Sequence, residues 1–344
     1  MGINVLSLFD GMSCGQISLG RLGIKIDNYL ASEIDKYAIS ITKKNFPNTI
    51  HLGDVTKVYG SDCYRIAEGK IDLLIGGSPC QGFSYSGKKL NFEDPRSKLF
   101  FEFARILKEV KPKYFLLENV KMKKESQDVI SDYLGVEPIE INSSLLSAQN
   151  RRRLYWTNIP NLTTPEDKGI VLKDVLERNP NNTTFMSKKF KDRFERYNID
   201  FLSGEESKAK CLCAREYEKN GKQGNYLDTS KLIFLEGLEE GRRLHDGKSL
   251  SRNFREGHRI YSSEGKSACL TSNSKGGPGG YSGLYKDKSL IRKLTPIECE
   301  RLQTVPDNYT EGVSNTQRYK MLGNGWTVDI ICHILKNMEL RREK

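Results

Sequence analysis

Residues 4–15 read Asn4-Val5-Leu6-Ser7-Leu8-Phe9-Asp10-Gly11-Met12-Ser13-Cys14-Gly15. The apolar run Asn4–Phe9 predicts a buried strand. Gly15–Leu22 predicts the helix that follows, after a glycine-bearing turn. The same alternation continues downstream. Tyr29–Glu33 reads as a second strand and Lys36–Asn45 as a helix. Ile71–Ile75 is a third apolar run, ending in Gly76-Gly77-Ser78-Pro79. Leu99–Val110 has helical spacing, Tyr114–Leu117 is another strand, and Pro138–Ile141 and Leu154–Thr157 predict two more. Strands alternating with helices fold as an α/β, doubly wound, mostly parallel sheet. Such sheets bind ligands outside the carboxyl ends of their strands. Phe9-Asp10-Gly11, Glu33, Asp54, Pro79-Cys80 and Glu118 all fall at those ends.

The chain has 344 residues, room for one large domain and a smaller one. Its composition shifts after about residue 160. Residues 161–285 are richer in Lys, Arg, Asn, Ser and Gly, and Lys275-Gly276-Gly277-Pro278-Gly279-Gly280 is a loop on any reading. Order returns after Leu290 with a helix over Thr295–Gln303, a Gly323-Asn324-Gly325 turn and a final apolar helix. The expected organisation is a domain over 1–160, a second, smaller, loop-rich domain over 161–290, and a segment over 291–344 that returns to the first.

No run reaches the roughly 18 apolar residues of a membrane helix. Met1–Gly11 lacks a basic region ahead of its apolar run, so it reads as a strand rather than a signal peptide. Leu6 stands where myristoylation expects Ser or Thr. The eight cysteines are scattered, and Cys211 and Cys213 have neither a second pair nor a histidine cluster nearby, so no metal site is expected. Free thiols suit a reducing, cytoplasmic compartment. The net charge of +11 fits a polyanionic partner, although many basic proteins never touch nucleic acid.

Each notable residue has a plain reading beside a chemical one. The turn Asp10–Gly15 either is merely tight or lets a ligand approach backbone N–H groups; it is not GxGxxG, which disfavours a dinucleotide. Glu33 and Asp54 are either solvated strand ends or the acids that hold a ribose and an adenine amino group. With the turn, they favour a nucleoside-bearing cofactor. Cys80, between Pro79 and Gln81, is either a small buried hydrophobe or a nucleophile activated by a helix terminus or a cation. Glu118 is an ordinary exposed carboxylate or one desolvated enough to share a proton. Arg151 and Arg153 in Gln149-x-Arg151-x-Arg153 would share one face of a strand, either solvated or holding a phosphate, carboxylate or carbonyl.

In their order along the chain, these motifs resemble the cytosine-C5 DNA methyltransferase family. Phe9-Asp10-Gly11 resembles its first motif, and Pro79-Cys80-Gln81 with Gly82-Phe83-Ser84 its catalytic loop. Glu118-Asn119-Val120 is similar to its ENV motif and Gln149-Asn150-Arg151-Arg152-Arg153 to its QxRxR motif. The stretch from Arg292 to Gln303 resembles the ninth motif and Gly323-Asn324-Gly325 the tenth. The core is also similar to the eukaryotic de novo DNA methyltransferases over Ile75–Cys80, Leu99–Phe103, Val313-Ser314-Asn315 and Trp326; Gln81 and the longer variable region look more like bacterial and phage enzymes.

The resemblance implies a Rossmann-like methyltransferase sheet with a target-recognition domain, and S-adenosyl-L-methionine as cofactor. It implies Cys80 as nucleophile toward C6 of a flipped cytosine, Glu118 at its N3 edge, Arg151 at O2, and Arg153 bracing the loop or sharing that role. Cofactor contacts are expected from Phe9, Asp10, Gly11, Gly15, Glu33, Ile34, Asp54, Val55, Pro79, Leu99, Asn324 and Trp326. Double-stranded DNA is the expected partner, through Gln81, Ser84 and Ser86 of the catalytic loop and Arg252, Arg255, Arg259 and Lys275. A cognate restriction endonuclease is a further partner the resemblance allows; no oligomer interface is legible. The family's Thr-Leu pair in the recognition domain is not matched: Cys269-Leu270-Thr271 stands there. An RNA-methylating branch carries a Cys-Phe-Thr tripeptide, which this chain lacks, and a binding-only homologue would be expected to lose Cys80, Glu118 or the cofactor turn.

Overall fold

The structure is a computed structural model. It describes residues 2–79, 98–178, 234–237, 259–262, 265–267, 269–270, 284–287 and 290–340. The chain divides into two compact units. The first comprises Met1–Asn142, Arg152–Glu166 and Gly325–Lys344, and the second Ser143–Arg151 and Asp167–Asn324.

In the first unit, β1 (Ile3–Leu8), β2 (Ile26–Ser32), β3 (Ile50–His51), β4 (Leu73–Gly76), β5 (Tyr114–Val120), β6 (Ile139–Asn142) and β7 (Arg152–Thr157) form one sheet in the order β3-β2-β1-β4-β5-β7-β6. The strands from β3 to β5 run parallel; β7 lies antiparallel between β5 and β6. The chain thus winds outward from β1 in both directions, and the carboxyl ends of β1 and β4 meet at the reversal, where ligands of such sheets collect.

Alternation within the strands sends Leu6, Leu8, Leu30, Leu74, Phe115 and Leu117 into one core with α3 (Gly60–Ile66), α4 (Lys98–Val110) and α5 (Lys124–Leu134). Phe100, Phe103 and Trp156 are its largest fully buried members. Burying each such ring contributes roughly 2–3 kcal/mol. Ile75 and Tyr29 face the other way, toward α1 (Cys14–Arg21). The C-terminal α8 (Val328–Leu335) packs on α1, where the Ser18 hydroxyl donates to the Val328 carbonyl at 3.4 Å. Both faces are covered, which is why β1, β4 and β5 read as continuous apolar runs.

Helix α2 (Lys36–Asn45) falls where the sequence predicts it, capped by the Asp35 carboxylate, which accepts from Tyr37 N. The sequence reading missed β3 and α3 because two residues of strand and a Gly- and Cys-containing turn of helix carry too little periodicity. It also missed α5, whose apolar face is narrow. It ended β5 too early: pairing of Glu118 with Tyr155 and Val120 with Arg153 carries the strand through the ENV motif.

In the second unit, β8 (Phe234–Gly237), β9 (Arg259–Ser262), β10 (Leu284–Asp287) and β11 (Leu290–Lys293) form a sheet ordered β11-β10-β9-β8. Helix α6 (Pro296–Leu302) opens on a capping box between Thr295 and Glu298, as Thr-Pro-x-Glu spacing dictates. Helix α7 (Asn315–Asn324) runs through Gly323 and Asn324, which the sequence reading placed in a turn. Residues 143–151 and 291–324 lie in this unit.

Candidate active site

The segment after β1 winds through three left-handed residues: Phe9 at φ 57°, Gly11 at φ 59° and Ser13 at φ 61°. Only the glycine adopts this without strain, so Phe9 and Ser13 must be held there, each at about 1–3 kcal/mol. Hydrogen bonds hold them. Asp10 N donates to Ser32 O at 3.1 Å, and Ser13 N donates to Asp10 O at 3.1 Å. The Ser13 hydroxyl bonds Asp10 Oδ2, and Tyr29 OH donates to Asp10 Oδ1 at 2.8 Å. Burial pushes the Asp10 carboxyl up to about 6, against the lowering effect of the hydroxyls of Ser13, Ser7 and Tyr29. The nearby Glu33 raises it a little further. Asp10 therefore turns inward in this structure and acts on the turn itself.

Glu33, at the end of β2, takes Gly11 N at 2.7 Å on Oε2, and Ile34 N and Asp35 N at 2.8 Å on Oε1. Ile34 beside it is 75% exposed, an apolar plate just past the carboxyl end of β2. Asp54 is exposed and accepts from Thr56 N at 3.0 Å and Thr56 Oγ1 at 2.9 Å through Oδ1. Those bonds, the backbone one first, hold its carboxyl below the usual range. Val55 and Leu99 both pack on the core, Val55 fully buried and Leu99 half-buried. Gly15 is buried: a β-carbon there would sit 2.4 Å from Ile75 Cδ1 and 2.8 Å from Tyr29 OH, so it admits these two side chains under α1. Phe9 is half-buried against the core.

At the end of β4, a β-carbon on Gly77 would lie 3.0 Å from Trp326 Nε1 and 3.2 Å from Glu118 Oε2. Gly77 thus lets an indole and a carboxylate converge beside Ser78-Pro79, the last described residues before Cys80. Asn119 Nδ2 donates to Ser78 Oγ at 3.1 Å and tethers β5 to the same turn. Glu118 itself is buried at 8% exposure, with Oε1 2.9 Å from Arg153 Nε. The two share a face because Arg153 stands two residues from Tyr155, the cross-strand partner of Glu118.

Arg151 goes elsewhere. It precedes β7, and its buried guanidinium donates to Leu270 O at 3.0 Å and Gly323 O at 3.1 Å. Gln149 is buried beside it, donating to Leu302 O and Gln303 Oε1 at 3.2 Å each and accepting from Leu270 N at 2.9 Å. Gln303 donates onward to Leu322 O at 2.6 Å. The QxRxR, ninth and tenth motifs are thereby bonded to one another within the second unit. The expectation that Arg151 and Arg153 present a common face is corrected: long-range carbonyls take one and a cross-strand carboxylate the other.

Asn324 is exposed at the end of α7, and Trp326 is half-buried. Arg259 opens β9. Cys80, Gln81, Ser84, Ser86, Arg252, Arg255 and Lys275 lie outside the described residues. Among the described residues there is no cluster suited to a metal ion, and no helix is long and apolar enough to cross a membrane.

A family model for C-5 cytosine-specific DNA methylases matches residues 3–340. The chain belongs to the C-5 cytosine-specific DNA methylase family. Among its relatives, the orphan methyltransferase M.Rho11sI of Bacillus phage rho11s is 33% identical over 91% of this chain and 66% of its own length. The type II methyltransferase M1.ScrFI of Lactococcus lactis subsp. cremoris is 32% identical over 97% of this chain and 77% of its own. The chain thus spans about two thirds of the length of the first relative and more of the second. The fold matches that of the Entamoeba histolytica methyltransferase EhMeth with a TM-score of 0.67 over 98% of both chains, at 16% identity. Membership of this methylase family places the chain among the DNA (cytosine-5-)-methyltransferases, whose cofactor is S-adenosylmethionine. Glu33 beside an exposed Ile34, an exposed Asp54 and the cradle at Gly77 and Trp326 suit a nucleoside that carries a cation.

Proposed function

We propose that the chain transfers the methyl group of S-adenosylmethionine to C5 of a cytosine flipped out of a short, specific duplex DNA sequence, through a covalent Cys80–C6 adduct. The observation that carries this reading is the buried Glu118–Arg153 pair at 2.9 Å, set at the turn that leads into Cys80. Cytosine C5 is a weak nucleophile. Addition of the Cys80 thiolate to C6 would place the displaced electron pair across N3 and C5. Glu118 would bind the N3 edge and supply a proton there as charge builds. Arg153, already on that carboxylate, is the guanidinium better placed to share the O2 contact; Arg151 is engaged by main-chain carbonyls. The bound cofactor supplies an electrophilic methyl on sulfur. Loss of the C5 proton and expulsion of Cys80 then restore the aromatic ring.

Glu33, Ile34 and Asp54 would hold the ribose and adenine, and Trp326 would close over the cofactor. Flipping costs a few kcal/mol and is needed because a stacked base exposes neither C6 nor the N3 edge. Gln81, Ser84 and Ser86 would contact DNA from the catalytic loop. The second unit would act as the target-recognition domain, with Arg252, Arg255, Arg259 and Lys275 contacting phosphates, which position but do not specify. The enzyme would act in the cytoplasm, on the DNA there. The relatives' names include both an orphan and a type II methyltransferase, so a restriction partner is a matter for the genome's neighbouring genes.

The test is incubation of unmethylated plasmid with the protein and S-adenosylmethionine, followed by base-resolution conversion sequencing, with Cys80→Ser in parallel. Methylated cytosines in one short context, absent with Cys80→Ser, are the expected outcome. An unmodified plasmid from a protein that binds the cofactor would refute DNA as the substrate.

A further inference from the structure

The polar groups beneath the cofactor turn form one chain. Gln16 Nε2 of α1 donates to Ser13 Oγ at 3.2 Å and to Thr49 Oγ1 at 2.8 Å. The Ser13 hydroxyl donates to Asp10 Oδ2, and Tyr29 OH of β2 to Asp10 Oδ1 at 2.8 Å. Thr42 Oγ1 of α2 lies 3.3 Å from Ser13 Oγ, and Thr49 Oγ1 donates to Phe46 O at 2.8 Å. Ser13 and Thr42 are fully buried, and Gln16 and Thr49 nearly so. The donors run toward the Asp10 carboxylate from both sides, so its ionised form is the one this chain of bonds suits. The result fixes the turn at whose centre Gly11 N meets Glu33.

We propose that Asp10 is a positioning residue rather than a cofactor ligand, and that Tyr29, Ser13 and Gln16 act through it to aim the Gly11 N–H at Glu33, presetting the cofactor pocket. This rests on the reading of Glu33 as the ribose acid. Tyr29 is the informative member. It touches the carboxylate from beneath α1, in space that Gly15 leaves open. Burial and the Asp10 charge keep its hydroxyl protonated, hence a donor. The titratable groups that face Asp10 are Tyr29 and Glu33, with Cys14 acting on Tyr29.

The experiment titrates S-adenosylhomocysteine into the whole protein by calorimetry, for wild type, Tyr29→Phe, Asp10→Asn and the double variant, with kcat and KM for S-adenosylmethionine and melting curves alongside. Tyr29→Phe is expected to weaken binding about 10-fold and raise KM while kcat stays unchanged. The double variant is expected to bind no more weakly than Asp10→Asn alone, because partners in one network are not additive. In wild type, affinity is expected to fall below about pH 6, with the break lost in Asp10→Asn. Tyr29→Phe that lowers the melting temperature but leaves affinity and KM unchanged would overturn the proposal. So would additive losses, which would make Asp10 a direct ligand. If wild type fails to bind the analogue, the cofactor reading itself fails, and amide exchange at Gly11 in the unliganded protein decides the positioning claim: faster exchange in Tyr29→Phe supports it, an unchanged rate overturns it.

Discussion

Arg151 and Arg153 stand two residues apart in one motif, and the fold uses them oppositely. Arg153 lies in β7 and closes on Glu118, a buried acid at the mouth of the sheet. Arg151 lies one residue before the strand and bonds main-chain carbonyls at Leu270 and Gly323. Equal spacing in sequence gives equal faces only while the backbone stays a strand. The difference teaches that the motif is a junction: one arginine pairs with a buried acid on the sheet and the other ties the motifs of the second unit together.

Arg153→Ala should break this comparison most strongly. It strands the Glu118 carboxylate in a buried site, and removing one partner of such a pair costs about 3–5 kcal/mol. It also unseats the proposed acid, so methylation should fall by at least about 10²-fold. Tritiated-methyl transfer at saturating cofactor and urea unfolding measure the two losses. Unchanged turnover with a folded protein would show that Glu118 needs no partner.

Arg151→Ala should act first on stability. Two buried carbonyls lose their donors, at about 1–3 kcal/mol each. The loss should appear as a lower unfolding midpoint of the second unit, with the affinity for S-adenosylhomocysteine unchanged. A variant that keeps its midpoint but loses turnover would return Arg151 to the role at cytosine O2 that the family resemblance assigns it.

The two regions were also unequally legible. The proposed cofactor side is local: strand, turn and acid lie within the first 54 residues, and apolar runs ending in Asp10, Glu33 and Asp54 mark it. Even there the bonds of Asp10 to Ser13 and Tyr29 are not legible, since an inward carboxylate looks the same in sequence as an outward one. A signal was present: Ser7, Asp10, Ser13 and Gln16 recur every third position through an otherwise apolar stretch. Polar groups so placed must find one another or be unsatisfied. On the other side, the partners of Gln149 and Arg151 come from residues 270, 302, 303 and 323, separations over which local periodicity carries no information.

His51 extends the comparison to a third basic side chain. Arg153 has a carboxylate and Arg151 has carbonyls, but both ring nitrogens of His51 are shielded and find no partner among the described residues. Burial, and then the charge of Lys43, hold its pKa below 6.5. The unfolded chain therefore takes the proton more readily. The contribution of His51 to stability is fully present above pH 6.5 and is lost as pH falls through that value toward the folded pKa. Asp10 works in the opposite sense. Its folded pKa of about 6 lies above 3.8, so its ionisation opposes folding at neutral pH, and that penalty is relieved as pH falls through about 6 toward 3.8. Between pH 7 and 5 the wild-type curve is the difference of the two. His51→Gln should leave the Asp10 part alone, so its melting temperature should decline less, or rise, over that range. Because His51 is only half-buried, the change should stay under about 1 kcal/mol. A pH profile identical to wild type would mean that water reaches the imidazole and satisfies it.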